Sequence, residues 1–164
     1  MRSSFTPNGG RLSFSLYRAR CMKFSLGQSQ NERIEIDVLR YERLAVGEYY
    51  DDNWLSAQIR VRAGAFSGQV EAALLASELV AFLSSLEALH ATLRGSAEFS
   101  TLEEQLHLVL VGDGRGHIAL TGDIADQPGI GNRLHFALQF DQSGLAASIR
   151  ELEKVTSQFP VRAV

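Results

Sequence analysis

At 164 residues with 45% hydrophobic side chains, the chain is long enough for one sizeable core and too short for two comfortable ones. Its 21% charged residues, 14 Gly and 3 Pro exclude collagen-like, low-complexity and wholly disordered classes. The formal net charge of −3 conceals an asymmetry, because residues 1–21 carry Arg2, Arg11, Arg18 and Arg20 and no acid, leaving 12 basic against 19 acidic residues, or −7, in the remainder. A balance of that sign repels phosphate backbones, which disfavours direct nucleic-acid binding, and would steer a basic protein toward the domain.

Residues 1–21 read as a basic leader ahead of a single α+β domain over 22–164. A short strand over Leu12 to Tyr17 lacks a partner, and no apolar run of about seven follows the arginines, which argues against a secretory signal. Arg20 beside Cys21 is also wrong for a lipoprotein signal. A translation start at Met22 and a disordered native tail are the two leading readings, with a transit peptide behind them; N-terminal sequencing of the native protein separates them. Cys21, the lone cysteine, rules out an internal disulfide and a Cys-based zinc cage and suits a reducing, cytoplasmic compartment. The most apolar stretch, Leu74 to Leu83, is broken by Ser77 and Glu78 and falls short of the roughly 20 residues that a bilayer demands.

From residue 31 the dominant period is two. Ile34, Ile36 and Val38 alternate with Arg33, Glu35 and Asp37; Leu55, Ala57, Ile59 and Val61 alternate with Ser56, Gln58, Arg60 and Arg62. A third strand runs from Phe66 to Leu74. The period then becomes helical: Leu79, Phe82, Leu83, Leu86, Leu89 and Leu93 form one stripe, with Ser77 as N-cap and Gly95 as stop. Strands follow over Ser96–Ser100, Gln105–Val111, His117–Ile124 and Arg133–Asp141, and a last helix over Gly144–Phe159 ends at Pro160. The expected fold is therefore α+β, with the order β-β-β-α-β-β-β-β-α, one antiparallel sheet of about six to seven strands, and both helices packed on one face. No internal repeat of fixed period is visible.

Gly112-Asp113-Gly114-Arg115-Gly116 joins two strands and lacks a Gly-Lys-Ser/Thr signature, so it reads as a hairpin with Leu110 opposite Ile118 and Leu108 opposite Leu120. In the next hairpin, pairing Ile118 with Phe140 sets His117 opposite Asp141 and Asp123 opposite His135. These histidines therefore read as outer-face polar pairs, and His107 and His117 lie too far apart along their strands to share a metal. No Gly-x-Ser-x-Gly elbow is present, and the adjacent acids Asp51-Asp52 and Glu103-Glu104 point apart, so no catalytic constellation, metal or cofactor is expected. Tyr49, Tyr50 and Trp54 flank Asp51-Asp52-Asn53, where exposed aromatics would suit an interface; for Trp54, packing under a helix at the start of a strand is an equal alternative.

Tyr50-Asp51-Asp52-Asn53-Trp54-Leu55, Ala65-Phe66-Ser67-Gly68, Gly112 to Ile118, Pro128-Gly129-Ile130-Gly131-Asn132-Arg133-Leu134 and Phe140-Asp141-Gln142 together make the chain resemble the WapI-type bacterial immunity proteins from about residue 32 to the end. The resemblance implies a non-enzymatic cytoplasmic antitoxin that neutralises the C-terminal domain of a contact-delivered toxin, a tRNA-cleaving nuclease in the namesake system. It supplies no catalytic residues. The partner surface is expected among Asp51, Asp52, Trp54, Asp113, Arg115, His117, Asn132 and Arg133, and homo-oligomerisation stays open. A second reading is a small-ligand domain using a gap between the Gly112–Gly116 hairpin and the Pro128–Arg133 loop, whose backbone amides beside Arg133 could hold an anion.

Overall fold

The computed structural model describes residues 22–162; the leader, its short strand and Cys21 lie outside the described residues. Met22, Phe24 and Leu26 alternate with Lys23, Ser25 and Gly27, and this run forms β1 (Met22–Ser29). The chain continues as β2 (Glu32–Tyr41), the one-turn α1 (Tyr49–Asp52), β3 (Trp54–Ala63), β4 (Phe66–Leu75) and α2 (Ala76–Thr92). It then forms β5 (Arg94–Ser100), β6 (Leu106–Asp113), β7 (His117–Ala125), β8 (Arg133–Asp141) and α3 (Gln142–Gln158). β1 is not among the strands expected from the sequence, although it carries the same period-two signature as its neighbours.

The α+β class and antiparallel pairing hold, but the strands form two four-stranded sheets, β1-β2-β3-β4 (sheet A) and β5-β6-β7-β8 (sheet B), rather than one sheet of six or seven. Width explains the split. Two helices side by side, each about 10 Å across, cover roughly four strands spaced about 4.8 Å apart, so a single layer of eight would leave half its apolar face in water. Instead, the inward residues of both sheets and both long helices join one buried cluster that includes Ile36, Ile59, Leu86, Leu108, Leu120 and Leu152.

The split also uncovers a repeat in architecture that the sequence does not display: four antiparallel strands followed by a 17-residue helix, twice. The halves interlock, because α2 packs on β5, α3 packs on β1, and the helices touch each other. α3 also seals the free edge of β1, with Glu151 accepting from the Ser25 amide at 2.8 Å and the Ser148 hydroxyl donating to the Ser25 carbonyl. Covering an edge strand in this way removes a template for unwanted pairing.

Local signals shift by a few residues. α2 begins at Ala76 with Leu75 as N-cap, and Glu78 rather than Ser77 accepts from the Leu75 amide at 2.8 Å. Its left-handed terminating residue is Leu93 (φ 54°), ahead of Gly95. α3 is capped by Asp141, whose side chain accepts from the Ser143 and Gly144 amides. The β7–β8 register is as expected, with Ile118 opposite Phe140, His117 opposite Asp141 and Asp123 opposite His135. The β6–β7 register is displaced by two, with Leu110 opposite Leu120 and Gly112 opposite Ile118. The same faces stay inward, because the side-chain period is two. The three-residue turn moves on by one to Gly114–Gly116, where the Gly114 amide donates to the Leu93 carbonyl at 2.7 Å and ties the tip to the end of α2.

Candidate functional site

A cleft of about 530 Å³ opens where β2, β3 and β4 of sheet A meet the β5–β6 and β7–β8 connections of sheet B. Glu42, Glu71, Glu103 and Asp126 line it against a single base, Arg40. Gln105 ties the two sheets together at its floor by donating from Nε2 to the Glu71 carbonyl at 2.7 Å. Four carboxylates facing one guanidinium in a concavity make a focused negative field suited to cationic side chains.

Three connections frame the cleft, and two are shaped by their own carboxylates. In the segment before β3, Asp52 is 4% exposed. It accepts from the amides of Val46 (3.0 Å), Gly47 (2.7 Å) and Glu48 (2.9 Å) and pairs with Arg43 at 3.3 Å. Burial pushes this carboxyl up, but the three amides and Arg43 outweigh burial and hold it below the usual carboxylate range. Asp52 is thus an internal organiser, whereas Asp51 is exposed and pairs with Arg43 at 2.9 Å. Asn53 locks the segment to the C-terminal tail, accepting from the Arg162 amide at 2.7 Å while donating to the Tyr49 and Arg162 carbonyls. The Arg162 guanidinium stacks 3.4 Å from the centre of the Tyr41 ring. This scaffold presents Leu44 (85% exposed), Val46 and Tyr50 to solvent.

In the β7–β8 connection, Asp126 accepts from the Asn132 amide and side-chain nitrogen, both at 2.9 Å. These bonds, the Asn132 side chain first, lower its pKa. Both donors come from Asn132, so the loop closes on its own carboxylate through the residue after the glycine-rich Pro128–Gly131 stretch. Gly131 is required at φ 93°, since a Cβ there would sit 2.1 Å from Asp126 Oδ1. Ile130 stands 72% exposed at the tip. Arg133 reaches the Glu104 carbonyl at 3.4 Å and so joins this connection to the third one, which exposes Leu102.

Asp51, Asp52 and Trp54 lie in the segment before β3 and at its start, and Asn132 and Arg133 at the end of the β7–β8 connection; none of the five lines the cleft, and Trp54 is half-buried opposite Leu75. Asp113, Arg115 and His117 lie elsewhere. They sit on the β6–β7 tip, where Asp113 accepts from the Arg115 amide (2.6 Å) and the His117 amide (3.1 Å) and pairs with the His117 ring at 3.0 Å. The nine residues of β7 separate that tip from the Pro128–Arg133 loop by roughly 27 Å, so the ligand gap expected between them does not exist. Glu42, Glu71 and Glu103 were missed as site residues. They lie far apart in sequence, and only the meeting of two sheets makes them a group. Of the remaining histidines, His135 pairs with Asp123 at 3.0 Å and His107 with Glu98 at 2.8 Å.

An interlocked pair of antiparallel four-stranded sheets with two long helices and an acidic concavity defines an α+β domain. The chain belongs to the immunity protein WapI-like family, whose model matches residues 25–160. Membership supports an immunity role, and such a role implies a toxin as partner. No curated protein matches the chain. Among the described residues no helix is long and apolar enough to cross a membrane.

Proposed function

We propose that this chain is an antitoxin that neutralises its cognate toxin by stoichiometric binding, without chemistry of its own, in the bacterial cytoplasm. The acidic cleft receives a basic surface of the toxin, as on a nuclease domain. The observation that carries this reading is the composition of the cleft and its rim: Glu42, Glu71, Glu103 and Asp126 inside, with Leu44, Val46, Tyr50, Leu102 and Ile130 exposed on the framing segments. Exposed apolar and aromatic side chains on these segments supply desolvated contact area, while the carboxylates supply steering and register. Asp51, Trp54, Asn132 and Arg133 contribute as rim and support. Asp52 acts by holding the rim in shape, and Asp113, Arg115 and His117 form a separate exposed patch at the far end of sheet B.

The test is calorimetric titration with the toxin domain encoded beside the gene, comparing the native chain with a Glu42→Lys, Glu71→Lys, Glu103→Lys variant. The expected result is a one-to-one complex whose association slows with added salt and whose affinity falls at least a hundredfold in the variant. Unchanged affinity and unchanged protection of cells by the folded variant would sink the reading.

A further inference from the structure

The −7 of the chain beyond residue 21 is a sum over the whole surface, and the outward face of sheet A runs against it. A cavity of about 330 Å³ there is lined by Lys23, Gln30, Arg33, Glu35, Arg60 and Arg62, four cations to one carboxylate. Lys23 (3.0 Å), Arg33 and Arg60 (2.8 Å) all converge on the buried Glu35. Asp37 also takes Arg60, at 3.5 Å, so two carboxylates serve three of the four cations, and Arg62 has no ion pair among the described residues.

Register sharpens the anomaly. Arg33 and Arg62 stand directly opposite each other in the β2–β3 ladder, an arrangement that costs stability because like charges face at close range. Nothing in the folding of sheet A calls for it. On either side of this pair the row continues with small residues, Gly27 next to Arg33 and Ser67 next to Arg62. A Cβ at Gly27 would meet the Glu32 carbonyl oxygen at 2.3 Å and the Arg33 Cβ at 2.8 Å, so no side chain can rise there to shield the guanidinium. The cations sit on three adjacent strands, with little backbone freedom to lose on binding. A locally unfavourable arrangement on a rigid frame, left open to solvent, marks a site kept for binding rather than for folding.

We propose that the outward face of sheet A is an oxyanion pocket that takes a phosphate group, with Arg33 and Arg62 as its paired donors and Lys23 and Arg60 as flanking charges oriented by Glu35. Guanidinium pairs match the geometry of phosphate oxygens, and the Gln30 side-chain amide adds a neutral donor. The phosphate can be free or part of an RNA strand; the pocket recognises the same group in either case. This site is separate from the acidic cleft and does not depend on the immunity reading.

The test uses the full chain at constant ionic strength. Inorganic phosphate is titrated against a chloride control by calorimetry and thermal denaturation, with a short single-stranded RNA in a parallel arm and Arg62→Gln and Arg62→Lys as variants. Saturable phosphate binding that weakens about tenfold or more in Arg62→Gln and partly recovers in Arg62→Lys is the expected result. Arg62→Gln should be at least as stable as the native chain in chloride, because the like-charge pair is relieved. RNA binding that depends on Arg62 without a phosphate response identifies a strand as the source and still supports the pocket. Neither ligand binding, or both binding equally well to Arg62→Gln, overturns the proposal.

Discussion

The ring of Phe82 in α2 lies 4.9 Å from that of Phe99 in β5, and on its other side 6.3 Å from that of Phe24 in β1. One helix residue thereby joins the first strands of both halves. Phe82→Ala is expected to cost about 3–5 kcal/mol through lost burial and the cavity left behind. Both sheets should lose hydrogen-exchange protection together in the variant. Retained protection in sheet A with loss only in sheet B would mean that the halves are energetically separate.

Gly131→Ala should destabilise by about 1–2 kcal/mol from the left-handed backbone alone, with a further cost because the new methyl displaces the Asp126 carboxylate. The β7–β8 connection would loosen and the cleft would lose one wall. Urea denaturation gives the first effect and toxin affinity the second. Equal affinity in a destabilised variant would remove this loop from the binding surface.

Acid should unfold the protein through its loop carboxylates. Asp52, Asp113, Asp126 and Asp141 are all held below their ordinary values, mainly by hydrogen bonds from backbone amides and from neighbouring side chains. A lowered folded value means that the native state binds fewer protons than the unfolded chain. The contribution is therefore complete above about pH 4 and is lost as the pH falls through the depressed values. Asp52→Asn should be less stable than the native chain at pH 7 and converge with it in acid. Glu78, half-buried between the Leu75 and Leu102 amides, is raised by burial and runs the other way. Its contribution is present below the unfolded value and lost as the pH rises through the raised one, so Glu78→Gln should flatten that segment of the profile. Unfolding free energies across a pH series decide both; parallel profiles for all three proteins would refute the assignment.

Much of this was legible in the chain. Alternation placed β2, β3 and β4, the helical stripe placed α2, and the β7–β8 register was legible through the Ile118–Phe140 pairing, which sets His117 opposite Asp141 and Asp123 opposite His135 where a shift of two would break both pairs. Asp51, Trp54, Asn132 and Arg133 stand out in the sequence for their turn-forming surroundings, whereas the acids that line the cleft do not. Asp52 was misjudged as surface because an Asp surrounded by amides reads the same as one surrounded by water. The β6–β7 register slipped where the turn is tied to the Leu93 carbonyl, a contact between segments that no local rule contains.

Sequence alone settled which residues face inward, because a side-chain period of two or 3.6 is a property of the backbone and each strand or helix displays it independently. Tertiary structure decided how the strands divide into two sheets, which acids share a cleft, and that a chain of negative charge carries Arg33 and Arg62 side by side. Those are pairings between distant segments, set by how much apolar area two helices and two sheets can hide together. Net charge, being a sum, has no memory of which face each residue occupies.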